Sequence, residues 1–360
     1  MIIVSLFYLG KNVLSNKSYD ASDIEVLEGL EPVRKRPGMY IGGTDRNGMH
    51  HLFAEVIDNS MDEAVAGFAT FIEVNIDLNN KITVFDNGRG IPIDKHPKYP
   101  KKSALEVILT TLHAGGKFNN KIYQTSGGLH GVGISVVNAL SESLEVEVYR
   151  DKSIYLQNYK KGIPNGNIEK LDQKTNKKGT KITFKPDEEI FDKNVKFNIE
   201  KLYNFCKSKA YLFAGIEIRW SCNELVAEEN NIPRSEIFNF SKGLEDFLVN
   251  EVKGSTFIAQ ESFSGKKEKD SKNNSIEWAV NWSMSSDGFL NSYCNTVPTP
   301  DGGTHELGLK NGLLKALRSH SERVGNKKGL AINSDDLSKS MVAVISLFIP
   351  DPKFQGQTKD

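Results

Sequence analysis

Residues 125–140, TSGGLHGVGISVVNAL, constrain the fold more than any other stretch of the chain. Gly127, Gly128, Gly131 and Gly133 fall within seven positions, and an apolar run from Ile134 to Leu140 follows at once. Backbone this bare is costly to order, so its use is close approach. A run of small residues turns successive N–H groups the same way, and the helix start that follows adds partial positive charge, which suits an anion. The stretch is not a P-loop, because G-x-x-x-x-G-K-S/T occurs nowhere and Gly116-Lys117 is followed by Phe118. Nor is it a dinucleotide fingerprint, since Gly128 to Gly133 has that spacing reversed and no strand precedes it. A flexible linker is the competing reading. The absence of serine padding and the direct entry into an apolar helix favour a loop that wraps a triphosphate and folds over it as a lid.

Residues 49–66, MHHLFAEVIDNSMDEAVA, are the strongest helix candidate. Leu52, Phe53, Val56, Ile57, Met61, Ala64 and Val65 make one apolar stripe. Glu55, Asp58, Asn59 and Asp62 line the opposite face at i, i+3, i+4 and i+7, a spacing at which like charges repel. A solvated acidic face is the simpler reading of the helix alone. No lysine or arginine offers relief at that spacing, however, and a bound cation would. Asn59 with phosphate oxygens and waters makes a plausible Mg²⁺ shell. Glu55, one turn away, is placed to polarise a water for attack on phosphorus.

In KITVFDNGRGIP (81–92) a strand runs into Asp86-Asn87-Gly88-Arg89-Gly90. Asn-Gly is a strong hairpin signal, yet the following IPIDKHPKYP does not alternate like a returning strand. The functional reading puts Asp86 at a strand end, where its carboxylate accepts from an exocyclic amine such as that of adenine. Gly88 and Gly90 let a flat base approach the backbone. Gly179-Thr180, which opens the strand TKITFKP, is by itself only a turn.

The rest of the chain supplies a frame. Its 360 residues, 38% hydrophobic and 26% charged, with mean hydropathy −0.41, describe a soluble chain of about two domains. Zero net charge gives no global signal for nucleic acid or membrane. Three scattered cysteines fit free thiols in a reducing, cytoplasmic setting. The short apolar start lacks the features of a signal peptide, and no stretch is long and apolar enough to span a bilayer. Strands are expected at 71–77, 81–86, 144–150, 153–160 and 180–186, and helices at 23–40, 103–116 and 198–215. A second unit is expected from about residue 225, with strands at 256–263, 276–284 and 340–350 and a helix at 305–323. The lysine-rich run 264–275 reads as a solvated hairpin tip. Helices laid on a mixed or antiparallel sheet give an α+β fold.

The four motifs in this order, ExxxN (Glu55–Asn59), DNGRG (Asp86–Gly90), GGLHGVG (Gly127–Gly133) and GT (Gly179–Thr180), resemble the GHKL ATPase superfamily shared by gyrase, heat-shock chaperones, histidine kinases and MutL. More specifically, residues 19–42, HAGGKF (113–118), 126–141, PTPDGGTHELGL (298–309) and PDPKFQGQTKD (350–360) resemble the B subunit of a bacterial type IIA topoisomerase. EVLEGLEPVRKRPGMYIGGTD and FQGQTKD are closer to the topoisomerase IV form than to the gyrase form. A MutL-like nucleotide-gated clamp is the alternative from another functional class.

That resemblance implies an α+β architecture: a Bergerat-type two-layer ATPase sandwich over residues 19–224, preceded by an extension (1–18) and followed by a ribosomal-protein-like transducer domain over 225–360. The family's DNA-cleavage (TOPRIM) part is expected to be absent from the chain. ATP and Mg²⁺ are the implied cofactors; duplex DNA, a topoisomerase A subunit and a second copy of the chain, in an ATP-dependent homodimer, are the implied partners. Glu55 matches the general base, Asn59 the Mg²⁺ ligand and Asp86 the adenine-recognising carboxylate, helped by Thr180. Gly90, Ile91 and Pro92 match the base pocket, and Arg89 and Arg150 the arginines at its mouth. Lys117, Tyr123 and the amides of Leu129, His130, Gly131, Val132 and Gly133 match the phosphate-contacting lid. Tyr19 matches an arm residue reaching the partner's site. Gln357 and Lys359 match a loop by which the second domain contacts the γ-phosphate, so that domain orientation reports the nucleotide state.

Overall fold

The computed structural model describes residues 20–118, 125–128, 130–254, 256–267, 270–284 and 287–354. In chain order the strands are β1 (Phe71–Ile76), β2 (Ile82–Asp86), β3 (Lys95–His96), β4 (Tyr99–Ser103), β5 (Ser141–Arg150), β6 (Ser153–Lys160), β7 (Ile163–Pro164), β8 (Glu169–Lys174), β9 (Gly179–Pro186), β10 (Glu217–Cys222), β11 (Ser235–Phe238), β12 (Phe263–Lys267), β13 (Ser275–Trp282), β14 (Phe289–Cys294), β15 (Val297–Pro298) and β16 (Met341–Phe348). The helices are α1 (Glu31–Lys35), α2 (Gly38–Ile41), α3 (Arg46–Val65), α4 (Ala104–Thr110), α5 (Gly133–Ala139), α6 (Ile199–Leu212), α7 (Glu224–Asn230), α8 (Leu244–Glu251), α9 (Thr304–Arg323), α10 (Lys327–Leu330) and α11 (Ser334–Ser338).

The larger sheet runs β11-β10-β1-β2-β9-β5-β6-β7, with β8 also on β6. Only β1 and β10 pair in parallel within it; its other pairings are antiparallel. Alternation decides its faces. In β1, Ile72, Val74 and Ile76 are buried, whereas Glu73 and Asn75 point away. The buried side receives Leu52, Phe53, Val56, Ile57 and Met61 of α3, together with Val136 and Val137 of α5 and Leu202 and Cys206 of α6. Two layers result, with the helices on one face only. The register sets Asp86 opposite Thr180, at the end of β2 and the start of β9.

The smaller sheet runs β12-β13-β16-β14-β15 and is covered on both faces. Leu244, Phe247 and Leu248 of α8 pack on Ala279, Val342 and Val344. Leu313 of α9 and Leu337 of α11 pack on Val280, Met341 and Ala343. No helix among the described residues is long and apolar enough to cross a membrane.

Several elements differ from the pattern-based expectation. The helix expected over 23–40 is broken into α1 and α2, because Gly29 takes φ +60° and Pro37 interrupts the run. The helix expected over 103–116 stops at Thr110, and His113 takes φ +58°. Of the strand expected at 256–263, residues 256–262 form only a single bridge, from Phe257 to Ser283. The strand is instead β12, Phe263–Lys267, pairing with β13 and so taking up the start of the expected hairpin tip. Lysines on such an edge strand discourage further pairing, and it is this polarity that hides the strand in the sequence. Helix α7 spans the boundary expected near residue 225, and strand β11 beyond it belongs to the larger sheet, since it adds to β10.

Candidate active site

Helix α3 starts at Asp45, whose carboxylate accepts from the Gly48 amide at 3.0 Å, and runs 20 residues under the larger sheet. Its polar face meets the glycine stretch and the β2 end around one cavity of about 780 Å³, within the size range of small-molecule sites. Glu55 and Asn59 line one end, together with Lys117 and the backbone of His130, Gly131, Val132 and Gly133. Asp86, Gly90, Ile91, Pro92 and Thr180 line the other, with Arg89 and Arg150 among the lining residues. A single space thus joins Glu55, Asp86 and Gly131. Tyr19, Tyr123, Leu129, Gln357 and Lys359 lie outside the described residues.

The Asp86 end is built by hydrogen bonds. Asp86 Oδ1 accepts from the Gly88 amide at 2.9 Å, and Oδ2 from Ser60 Oγ at 3.1 Å. Burial pushes this carboxyl up to about 7, and the neighbouring Glu63 adds to the shift. Thr180 Oγ1 accepts from the Ile91 amide at 3.2 Å, which ties the Gly90-Ile91-Pro92 backbone to β9. Glycine is required at 179: its φ is +125°, and a Cβ there would lie 1.7 Å from the Asp86 carbonyl oxygen.

Glu63 holds Arg89 through both guanidinium contacts, at 3.1 and 2.6 Å, and accepts the Arg89 amide at 3.0 Å. The guanidinium lies 3.8 Å from the centre of the Phe68 ring. Arg150 Nη1 donates to the Gly90 carbonyl at 3.2 Å.

At the opposite end, Glu55 lies against the glycine stretch. A methyl group on Gly133 would come 1.9 Å from Glu55 Oε2, so only glycine admits this approach. His51 Nε2, one turn back on α3, lies 3.4 Å from Glu55 Oε1.

The apparent lack of counter-charge on α3 is corrected by the tertiary structure. Lys209 of α6 pairs with Asp58 at 2.6 Å, and Lys117 pairs with Asp62 at 2.5 Å. Lys117 Nζ also donates to Asn59 Oδ1 at 2.6 Å. Asp62 Oδ1 accepts the Gly127 amide at 2.8 Å. Asp58 and Asp62 are therefore buried and paired, not a solvated face. Sequence reasoning also passed over Ser60, Glu63, Phe68 and Lys178, which line the cavity. Ser60 and Glu63 carried a signal, because they extend the polar side of the same helix toward Asp86.

The family model for DNA gyrase B matches residues 243–360, and that for histidine kinase-, DNA gyrase B- and HSP90-like ATPases matches residues 44–190. The topoisomerase IV ATP-binding domain of Francisella tularensis, solved with a small-molecule inhibitor, superposes with a TM-score of 0.72 at 36% identity, covering 93% of this chain and 86% of that one. The chain belongs to the B-subunit family of the bacterial type IIA topoisomerases. The B subunit of DNA topoisomerase 4 from Caulobacter vibrioides is 55% identical over 95% of this chain, and that from Bartonella bacilliformis 53% identical over 96%. The chain spans about half the length of these curated relatives, 50% of each. The two family matches follow the two sheets: the ATPase model lies on the larger sheet, and the gyrase B model begins just before α8.

Proposed function

We propose that the cavity binds MgATP and that the chain is the ATP-hydrolysing gate of a type II topoisomerase, of the topoisomerase IV kind. The observation that carries this is the continuity of one cavity from Asp86 to Glu55 and Gly131. Its ends differ in chemistry as the two ends of a nucleotide do. A buried carboxylate backed by Ser60 and Thr180 suits the exocyclic amine and ring edge of adenine. A glycine backbone with Lys117 suits a phosphate chain. Arg89 and Arg150, both fixed by neighbours, border the base pocket.

Mg²⁺ fits the donor set. The Lys117 ammonium already rests on Asn59 Oδ1 and Asp62 Oδ2 at 2.6 and 2.5 Å, so those oxygens accept a cation. Among the described residues no cluster of three or more His, Cys, Asp or Glu side chains could hold a metal. Mg²⁺ takes few protein ligands and keeps phosphate oxygens and waters. When bound, the metal would neutralise charge on the phosphates. Asn59 would hold it, and Lys117 would turn from Asn59 to the phosphate oxygens. Glu55, kept close to the loop by Gly133, would orient a water and take its proton, with His51 fixing the carboxylate.

The ATP-binding unit in this reading extends through β11, to residue 238, and the transducer unit begins at α8. Gln357 and Lys359 remain the proposed γ-phosphate contacts and Tyr19 the proposed contact to a second copy, with ATP closing the dimer around duplex DNA beside an A subunit. Glu55→Ala should retain a nonhydrolysable ATP analogue with near-unchanged affinity and lose turnover by about a hundredfold or more, as expected for a general base; unchanged turnover would remove Glu55 from that role. The topoisomerase assignment is tested on the full-length protein with its A subunit. Unlinking of catenated circles supports it, and negative supercoiling of relaxed plasmid would make it a gyrase.

A further inference from the structure

The connection between β14 and β15 is a two-residue turn, Asn295-Thr296, with φ of 49° and 65°. Asparagine tolerates the left-handed region, but a β-branched threonine does so only when its surroundings over-determine it. Both residues are 2% exposed. Their partners lie in the other half of the molecule. Lys209 Nζ donates to the Thr296 carbonyl at 2.6 Å while pairing with Asp58 of α3 at 2.6 Å. Asn295 Nδ2 donates to the Ser126 carbonyl at 2.8 Å. The next amide, Gly127, donates to Asp62 of α3 at 2.8 Å.

These contacts close on themselves. From Thr296 the path runs through Lys209 to Asp58, one turn along α3 to Asp62, across to Gly127 and Ser126, and back to Asn295. The same Asn295 amide also clamps the end of β16, accepting from Ile349 N and donating to Ile349 O, each at 2.9 Å. Packing is tight at the joint, since a Cβ on Gly127 would lie 3.0 Å from the Asn295 carbonyl oxygen. A lysine that is 1% exposed is an unusual way to fill a core. A buried ion pair adds little net stability over apolar packing; what it adds is a fixed register between the elements it joins.

We propose that Lys209 is a positioning residue that makes the Asn295-Thr296 turn, helix α3 and the glycine loop at 126–127 one cooperative unit. The seating of the smaller sheet thereby sets the geometry of Asn59 and Asp62. Its consequence for catalysis rests on the ATP reading above, but the ring itself is a property of the free chain. The C-terminal segment is not needed for this link.

The test is native-state amide exchange, read by NMR on the whole 360-residue chain. Lys209→Met removes the ion pair at constant length. Asn295→Gly removes the amide contacts but relaxes the positive φ, so the turn itself survives. In the free protein, each variant should speed exchange of the Gly127 amide by about tenfold or more, the loss of one charge-assisted hydrogen bond. Lys209→Met should speed the Ile349 amide equally, although neither amide touches Lys209. The double variant should add little to the larger single effect. Exchange at Gly127 and Ile349 within about twofold of the unaltered chain in Lys209→Met, or additive effects in the double variant, would overturn the proposal. A second arm adds a nonhydrolysable ATP analogue, which should slow Ile349 exchange in the unaltered chain and not in Lys209→Met; equal slowing in both would also overturn it. Absence of any analogue-induced protection at Gly131 in the unaltered chain would count against the ATP reading alone, with the free-protein arm still deciding the ring.

Discussion

Asp86→Asn should move affinity and stability in opposite directions. In the free protein the Asp86 carboxyl is buried and pushed up to about 7 from an ordinary 3.8. A folded pKa above the unfolded one means that the folded chain holds the proton more tightly between those values. The group's contribution to stability is therefore fully present below pH 3.8 and is lost as pH rises through 7. A rise of about three units corresponds to a cost on the order of 4 kcal/mol for keeping the anion in place above pH 7. Asparagine removes that cost and can keep the Gly88 and Ser60 contacts. Its Oδ1 replaces the oxygen that accepts the Gly88 amide, and its Nδ2 can donate to the Ser60 hydroxyl, which rotates to accept. The variant should melt at higher temperature than the unaltered chain at pH 8 and show little advantage at pH 5.

Binding should respond the other way. An amine donating to Asp86 prefers the carboxylate, so nucleotide binding expels a proton. Affinity of the unaltered chain should fall about tenfold from pH 8 to pH 6, the ratio of ionised fractions for a group titrating near 7. Asp86→Asn should bind about 10- to 100-fold more weakly at pH 8, the worth of one buried hydrogen bond to a charged group, with no pH dependence from this position. The assay is isothermal titration calorimetry of a nonhydrolysable ATP analogue in saturating Mg²⁺, in two buffers of different ionisation enthalpy, alongside thermal melts. Equal affinity for the variant, or the same pH profile in both proteins, would refute the adenine role. A variant that melts lower at pH 8 would refute the claim that the buried charge is costly.

The remaining predictions concern groups around it. Glu63→Gln removes the negative charge beside Asp86, so the pH profile of nucleotide binding should shift to lower pH, while Arg89 loses its ion pair; calorimetry as above would show an unmoved profile if Glu63 has no such effect. Lys117→Ala should weaken an ATP analogue by about tenfold or more and leave adenosine binding unchanged, and equal losses in a competition assay would exclude a phosphate contact. His50 Nε2 accepts the Asn198 amide at 2.9 Å, and burial, with Lys201 and Arg46 nearby, lowers its pKa to about 4. That depressed folded value means the stabilisation is present above 6.5 and is lost as pH falls through 4, by up to about 3 kcal/mol. His50→Gln, whose carbonyl can accept the same amide, should flatten the thermal midpoint between pH 7 and pH 5.

How much of this was legible depends on how far apart in the chain the physics operates. The α3 stripe, the β1 and β2 alternation and the glycine entry into α5 are local patterns, and local periodicity reports them directly. The Asp86–Thr180 pairing was reachable because both sit at the ends of strands with recognisable borders. Strands β10, β11 and β14 and helix α8 were missed, since short segments such as EIRWSC and FLNSYC mix polar and apolar residues and carry too few positions for a clear period. The hairpin expected at 264–275 is present, but its first strand, β12, runs further into the polar stretch than expected, because edge polarity looks like loop polarity.

What no local pattern could supply is the sign of the charge balance on α3. Read alone, Glu55, Asp58, Asn59 and Asp62 are equivalent members of one acidic face. The fold separates them by the source of their counter-charge. Asp58 is matched by Lys209, on a helix packed beside α3, whose register is fixed. That carboxylate has no mobile partner to exchange, so its work is structural. Asp62 and Asn59 are matched by Lys117, which enters from the segment leading into the glycine-rich stretch. A cation carried on a short turn beside such a stretch can be displaced by another cation at the cost of local rearrangement only. Glu55 has His51 from its own helix, and beyond it the closest approach of the glycine backbone. The three carboxylates thus differ in what a ligand can change around them. Lys117, Asn59 and the glycine-bordered Glu55 line the cavity end suited to phosphate, the Asp58–Lys209 pair faces the joint with the smaller sheet, and Asp62 bridges the two through Lys117 and the Gly127 amide. That division follows from which element carries each cation, and it separates the group that sets register from those that answer to nucleotide.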